Sequence, residues 1–294
     1  MPGFAETMRL ATPDGASLAL HRWGGAAPGA PVLLWGHANG FAAHCYLPLL
    51  RLLAASFDIW AWDARGQGHS RLPPSGEMGL DAIAADAALA LRQVAAATGQ
   101  VPHVASHSFA GVALLWAALR HGLQWRSATL FEPPLVTPEQ LAEADAASRH
   151  AARVAGTLRR RAAWPGPAEF AARLAETPNF ALVPPAAQLL HAQAVLRPAE
   201  AGFTLRCAPA TEAGIYRTVW DARPFQALRP LGRPLRFVAS DAAPPAPASP
   251  SRLVQPLAAA ASGATFTEMT GCSHLLALER PAACAELIRQ TALG

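Results

Sequence analysis

VASHSFAGVALLWAAL, residues 104–119, passes from a short apolar run through Ser106, His107 and Ser108 into an apolar pattern of helical length. A strand that meets a helix across so short a junction must turn sharply, and a sharp turn tolerates only small neighbours. Ser106 and Ala110, two residues on either side of Ser108, are small, and Gly111 follows. A side chain at the apex of such a turn has its hydroxyl held away from the chain, where it can attack. Small-x-Ser-x-small also arises by chance, and a buried serine capping a helix that begins near Phe109 is the plainer alternative. The sequence on either side of the junction decides between them.

Toward the N-terminus, MRLATPDGASLALHRWG (8–24) reads as two alternating strands around the turn Pro13-Asp14-Gly15. Apolar runs follow at 31–35, 57–62, 101–105 and 127–131, interleaved with helical patterns such as 80–97. Alternating strands and helices predict right-handed βαβ units and a mostly parallel sheet. From about 136 to 230 the alternation gives way to Ala-, Arg- and Leu-rich text of helical spacing, broken by Pro165, Pro167, Pro178, Pro184 and Pro185. This predicts a helical insertion. Strand patterns resume at PLRFVAS (234–240) and ATFTEMT (264–270), separated by a Pro-dense loop, and a last helix is expected from about Leu275 to the end.

Composition narrows the class. Of 294 residues, 52% are hydrophobic and 15% charged, which excludes a disordered chain. All basic residues are arginine, and the net charge is only +4. The run Arg159-Arg160-Arg161 has no interleaved aromatics or nucleic-acid motif and reads as a solvated helix face. Cys45, Cys207, Cys272 and Cys284 lack metal-ligand or disulfide-framework spacing. They suit a reducing compartment. With no signal-like N-terminus and no apolar run of spanning length, a cytoplasmic protein is expected, without membrane insertion or nucleic-acid partner.

Three further stretches complete the pattern: WGHANGF (35–41), DARGQGHS (63–70) and GCSHLLALERP (271–281). Together with 104–119, and in this order, they resemble the α/β-hydrolase fold superfamily, specifically its serine hydrolases with a helical cap. The first is similar to the family's oxyanion loop, the second to its D-x-R-G-x-G-x-S segment, the third to the loop bearing its catalytic histidine. The resemblance covers residues 7–135 and 231–292. It departs at the serine turn, where S-H-S-F-A replaces both glycines of G-x-S-x-G. It implies a mostly parallel eight-stranded sheet flanked by helices, with a core of 1–135 and 231–294 and a cap of 136–230.

The resemblance also assigns roles. Serine is a poor nucleophile at neutral pH and needs a base, which His274 would supply to Ser108. Backbone N–H groups of Phe109 and Asn39 would meet the developing oxyanion, with Ala38 as a neighbouring candidate. His37 is expected to order its turn, Asp63, Arg65 and Gly66 to knit the loop after the fourth strand, and His69 and His107 to pack or line a pocket. The acid has two candidates. Most of the family carries it after the seventh strand, in a pattern resembling G-x-x-D, but ASDAAPP puts Ala243 there, with Asp241 two positions earlier. A subset resembling the haloalkane dehalogenases carries it after the sixth strand, where Glu132 stands in ATLFEPPL, and its oxyanion loop reads H-G-N, similar to His37-Ala38-Asn39. Glu132 is favoured and Asp241 remains open.

Those dehalogenases use an aspartate nucleophile; a serine implies acyl transfer instead. The expected activity is therefore cofactor-free and metal-free hydrolysis of a small apolar carboxylic ester, with Trp164, Phe170, Phe180 and Tyr216 as candidate pocket aromatics. Thioester, lactone or carbon–carbon bond hydrolysis and acyl transfer would use the same groups. A non-hydrolytic protein of this fold that binds a small ligand is the alternative from another class. A homodimer is compatible with the sequence.

Overall fold

A computed structural model describes residues 3–25, 27–241 and 251–294. β1 (Phe4–Ala11) and β2 (Ser17–Trp23) form the expected antiparallel hairpin. Its turn closes through a Gly15 N–H to Thr12 carbonyl bond, with Gly15 at a φ of 88° that a side chain would resist. Then come β3 (Val32–Gly36), α1 (Leu47–Leu53), β4 (Asp58–Asp63), α2 (Leu80–Thr98), β5 (His103–His107), α3 (Phe109–His121) and β6 (Ala128–Phe131). Between β6 and the next strand of the main sheet lie α4 (Pro138–Ala142), α5 (Ala146–Leu158), β7 (Ala163–Trp164), α6 (Pro167–Ala175) and α7 (Pro185–Val195). β8 (Leu196–Ala199), β9 (Gly202–Leu205), α8 (Pro209–Val219) and α9 (Arg223–Gln226) complete that stretch. The chain ends with β10 (Leu235–Ser240), α10 (Ser251–Ser262), β11 (Thr265–Met269), α11 (Leu276–Glu279) and α12 (Pro281–Leu293).

The main sheet has eight strands in the order β1-β2-β4-β3-β5-β6-β10-β11. β1 and β2 run antiparallel to their neighbours, and the pairs from β4 to β11 are parallel. Every residue of β3, β4, β5 and β6 is buried. Strands covered on both faces tend to read as apolar runs, which made these four visible in the sequence although β5 carries the buried polar residues His103, Ser106 and His107. One face packs on α2, α3 and α10 through Trp60, Trp62, Leu91, Leu115 and Val254. The other packs on α1, α11 and α12 through Trp35, Leu49, Phe57, Leu276 and Ile288. Parallel central strands place their C-terminal ends, and the loops that leave them, on one edge of the sheet.

Three expectations are corrected. The stretch between β6 and β10 is not purely helical: β7, β9 and β8 form a small antiparallel sheet. β8 contains Pro198, which argues against a strand, and the two residues joining β8 to β9 are Glu200-Ala201 rather than a hairpin turn signal. The arginine run is exposed, as expected, but lies past the end of the helix rather than on its face. α5 ends at Leu158; Arg160 pairs with Glu212 of α8 and Arg161 lies 4.4 Å from the centre of the Trp164 ring. The final helix is two helices, because Arg280 precedes Pro281 and takes φ −130°, ψ 54°, outside the helical region. The Pro-dense loop, including Ala243, lies outside the described residues.

Candidate active site

Ser108 sits between the last residue of β5 and the first of α3, with φ 59° and ψ −129°. Positive φ in a non-glycine residue brings its Cβ against its own backbone and persists only where surrounding structure enforces it. Here the Ser108 N–H is fixed by the Phe131 carbonyl at 2.8 Å. The room comes from glycines other than the two the motif lacks. A Cβ on Gly36 of β3 would lie 2.8 Å from the Ala110 methyl, and one on Gly111 would lie 3.2 Å from Ser106 Oγ and 3.1 Å from Pro133. Gly36 and Gly111 thus let Ser106 and Ala110 stand where the resemblance expects glycines.

The register of β5 against β6 places His107 opposite Phe131, so Ser108 and Glu132 leave adjacent parallel strands side by side. Glu132 also takes positive φ, 52°, and is fully buried. Its Oε2 lies 3.0 Å from His274 Nδ1, its Oε1 accepts the Ser240 N–H, and His274 Nε2 lies 3.1 Å from Ser108 Oγ. A carboxylate only accepts hydrogen bonds, so it places the imidazole proton on Nδ1 and leaves the Nε2 lone pair facing the serine hydroxyl. Such a chain can draw the serine proton onto the ring and stabilise the imidazolium that results.

Asp241, the second candidate acid, is placed elsewhere. Its carboxylate accepts the Gly271 and Cys272 N–H groups at 2.9 and 3.3 Å, shaping the loop that bears His274. Glu279 does the same one turn on, accepting the Ser273 N–H at 2.8 Å and bonding the Ser273 hydroxyl. The His274 carbonyl is held by His107 Nε2–H at 2.7 Å. His107 Nδ1 accepts from Tyr46 Oη at 2.7 Å, and Tyr46 Oη accepts the Ala38 N–H at 3.1 Å. Burial, reinforced by the nearby His274, holds His107 well below the usual histidine range, so it stays neutral with one donor and one acceptor nitrogen. One continuous relay therefore ties the WGHANGF loop to the histidine loop. Sequence reading missed Tyr46, which sits in HCYLPL without a motif; that it is one of two tyrosines in the chain was its only signal.

That bond commits the Ala38 N–H. The Asn39 and Phe109 N–H groups have no acceptor among the described residues, as a pair awaiting an oxyanion requires. Their loop is pinned at several points. Asn39 Nδ2 donates to the Glu212 carbonyl at 2.9 Å, and the Gly40 N–H donates to Gln67 Oε1 at 2.6 Å. His37 Nδ1–H donates to the Ala38 carbonyl at 2.7 Å while its Nε2 accepts the Ala64 N–H at 2.9 Å. The loop after β4 is knitted by charge: Arg65 forks onto Asp86 at 2.6 and 2.7 Å and reaches Asp14 at 2.9 Å. Asp63 accepts from the Ala43 and His69 N–H groups and from His21 Nε2, at 2.8, 2.7 and 3.0 Å. Burial works against the Asp63 charge, but those histidine contacts hold the carboxyl well below its ordinary value.

Of the candidate pocket aromatics, Phe180 stacks on Phe41, 6.4 Å between ring centres, and both contact His191. Phe41 in turn reaches His107. Trp164 packs on Phe170, and Tyr216 lies beneath Arg153. Among the described residues, one histidine group, His21, His44 and His69, brings ring nitrogens within 4.8 Å of one another, the spacing from which a metal ion can be held. The four cysteines are buried free thiols, their pKa pushed up by burial. Among the described residues, no helix is long and apolar enough to cross a membrane.

The sequence model described as the alpha/beta hydrolase family matches residues 32–287. This chain belongs to the alpha/beta hydrolase family. Among solved structures, this chain is similar to E-2-(acetamidomethylene)succinate hydrolase at 18% identity and a TM-score of 0.78, covering 98% of this chain and 100% of that one. It is similar to an esterase from Rhodococcus sp. ECU1013 at 19% identity and a TM-score of 0.70, covering 98% of each chain. It is also similar to the enol-lactonase from Burkholderia xenovorans LB400 at 16% identity and a TM-score of 0.69, covering 98% of this chain and 100% of that one. At these identities the likeness is one of fold. No curated protein matches the sequence of this alpha/beta hydrolase.

Proposed function

We propose that this alpha/beta hydrolase is a cofactor-free serine hydrolase that cleaves carboxylic esters through an acyl-enzyme on Ser108. The observation that carries the reading is the unbroken chain from Ser108 Oγ through both nitrogens of His274 to buried Glu132. His274 takes the hydroxyl proton as Oγ attacks the ester carbonyl carbon. The oxygen of the tetrahedral adduct meets the Asn39 and Phe109 N–H groups, and the protonated imidazole then gives its proton to the departing alcohol. Water, deprotonated by the same nitrogen, releases the acid and restores Ser108. Glu132 fills the acid role, because the Asp241 carboxylate is engaged with the backbone of the loop.

The substrate class follows from the groups around the serine. An acyl centre suits a serine with a neutral base, and the Phe41, Phe180 and His191 cluster offers an apolar wall for the acyl or alcohol portion. We assign the segment between β6 and β10, which carries Phe180 and His191, the role of a cap over the serine. An esterase and a lactonase among the structural neighbours, though remote, have activities of this class.

Hydrolysis of an aryl acetate and butyrate series by the native chain and by Ser108→Ala tests the proposal, with fluorophosphonate labelling alongside. Turnover and labelling that vanish with the hydroxyl support it. Equal turnover by both proteins overturns it, and a folded native chain that neither turns over esters nor reacts with the probe favours a ligand-binding role.

A further inference from the structure

Away from Ser108, a cavity of about 360 Å³ opens where β1 and the loop after β4 meet the β8–β9 hairpin. It is lined by Arg9, Gly68, His69, Ser70, Arg71, Arg197 and Arg206. None of Ser108, His274, Glu132, Asn39 or Phe109 lines it. Its composition is electrostatically lopsided: four guanidinium groups, no carboxylate. Elsewhere Arg22, Arg65, Arg149, Arg160, Arg173, Arg223, Arg252 and Arg289 pair with Asp or Glu. Among the described residues, none of the four cavity arginines has a carboxylate partner within ion-pair distance. Gathering unpaired like charges is unfavourable unless something negative offsets it.

Two of the four side chains are also held in place by backbone carbonyls. Arg9 donates to the His69 carbonyl, and Arg206 Nε donates to the Leu196 carbonyl at 3.1 Å, which leaves their remaining N–H groups for another acceptor. Arg206 is half-buried, and burial disfavours its protonated form; the Asp63 carboxylate partly offsets this, while the charge of Arg197 adds to it. A guanidinium fork matches the oxygens of phosphate and carboxylate groups in a way a point charge does not.

The neighbouring His21, His44 and His69 group raises the opposite possibility, a metal cation, and the details argue against it. Both ring nitrogens of His21 are already engaged, Nδ1 with Thr7 Oγ1 at 2.8 Å and Nε2 with Asp63 at 3.0 Å. A cation there would also face the guanidinium groups that share His69 with it.

We propose that the cavity binds a multiply charged oxyanion, a polyphosphate or polycarboxylate group, held by Arg9, Arg71, Arg197 and Arg206. Because Arg9 and Arg71 belong to the main-sheet side and Arg197 and Arg206 to the β8–β9 hairpin, the bound anion bridges the two and stabilises their contact.

Isothermal titration and thermal shift at low salt, with pyrophosphate and citrate in parallel, test this on the full chain. Saturable binding is expected, weakened about tenfold or more in each of Arg71→Gln and Arg197→Gln, weakened by added salt, and unchanged in Ser108→Ala. The Arg71 and Arg197 side chains form no hydrogen bond or ion pair among the described residues, and the backbone bonds of Arg71 to Ser17 and the pairing of Arg197 with Thr204 do not depend on the side chain, so replacement should leave the fold intact. Tighter pyrophosphate identifies a phosphoryl ligand, tighter citrate a carboxylate one, and either supports the site. The proposal is overturned if neither anion binds saturably, or if both arginine variants bind as well as the native chain. It is equally overturned if Zn²⁺ stabilises the protein through His44, lost in His44→Ala, while the anions do nothing. The unchanged Ser108→Ala result separates this outcome from the fate of the ester hydrolase reading.

Discussion

Replacing Glu132 with glutamine changes one atom, yet it reaches the serine through the tautomer of His274. The carboxylate serves two donors at once, the Ser240 N–H on Oε1 and His274 Nδ1–H on Oε2 at 3.0 Å. A carboxamide has a single acceptor oxygen. If that oxygen stays on the Ser240 N–H, the amide NH₂ faces Nδ1 and demands its lone pair, so the ring proton moves to Nε2 and meets Ser108 Oγ as a donor. A base in that tautomer cannot take the serine proton. Loss of the correct tautomer in a Ser-His-acid arrangement costs about 10⁴ in kcat, equivalent to about 5.5 kcal/mol of barrier. The side chain keeps its volume, so the fold should hold. Initial rates on a p-nitrophenyl ester, with KM and kcat separated and circular dichroism confirming the fold, measure it. KM should change little. A folded Glu132→Gln protein that keeps more than about a tenth of the native kcat refutes the tautomer argument. Asp241→Asn supplies the contrast: its carboxylate shapes the loop backbone, so kcat should stay within about tenfold while thermal stability falls.

Three other outcomes follow from the same geometry. Tyr46→Phe strips the buried Ala38 N–H and His107 Nδ1 of their shared partner, and should cost about 1–3 kcal/mol in urea unfolding; an unchanged midpoint contradicts the relay. Gly36→Ala drives a methyl to within 2.4 Å of the Trp62 ring and 2.8 Å of Ala110, and should destabilise by about 1–3 kcal/mol, whereas Ala110→Gly should fold normally. Burial lowers the pKa of His191 to about 3 and of His44 and His103 to about 4, against 6.5 when exposed. Below 6.5 the unfolded chain therefore binds protons that the folded chain refuses, and thermal midpoints should fall as pH drops from 6.5 toward 4; a flat profile across that window excludes the effect.

The central sheet was legible because β3, β4, β5 and β6 are covered on both faces, which leaves largely apolar text, broken by His103, Ser106 and His107 in β5 and by the terminal aspartates of β4. The turn at Ser108 was legible from its small neighbours and its position between a strand and a helix. Glycine spacing was a poor guide there, since the room is provided by Gly36, seventy-two residues earlier in the chain, and such a contact leaves no local pattern. Glu132 and Asp241 could not be separated by sequence, because which carboxylate meets an imidazole depends on strand register and loop path. Tyr46 meets the His107 side chain sixty-one residues on, and Glu212 acts through its backbone carbonyl on Asn39, 173 residues earlier, so neither left a motif. The β7–β9–β8 sheet was hidden by strands of two and four residues and by Pro198.

The neighbouring strand ends of β5 and β6 have a consequence for how this protein tolerates change. Two members of the proposed trio, Ser108 and Glu132, ride on one rigid hydrogen-bonded framework and are kept in step by main-chain pairing. The third arrives on a separate loop and must be docked. Length variation in the connection beyond β10 is therefore free to accumulate without uncoupling acid from nucleophile, provided that the approach of His274 is preserved. Lesions that matter most should cluster not around the carboxylate but in the struts that seat the imidazole.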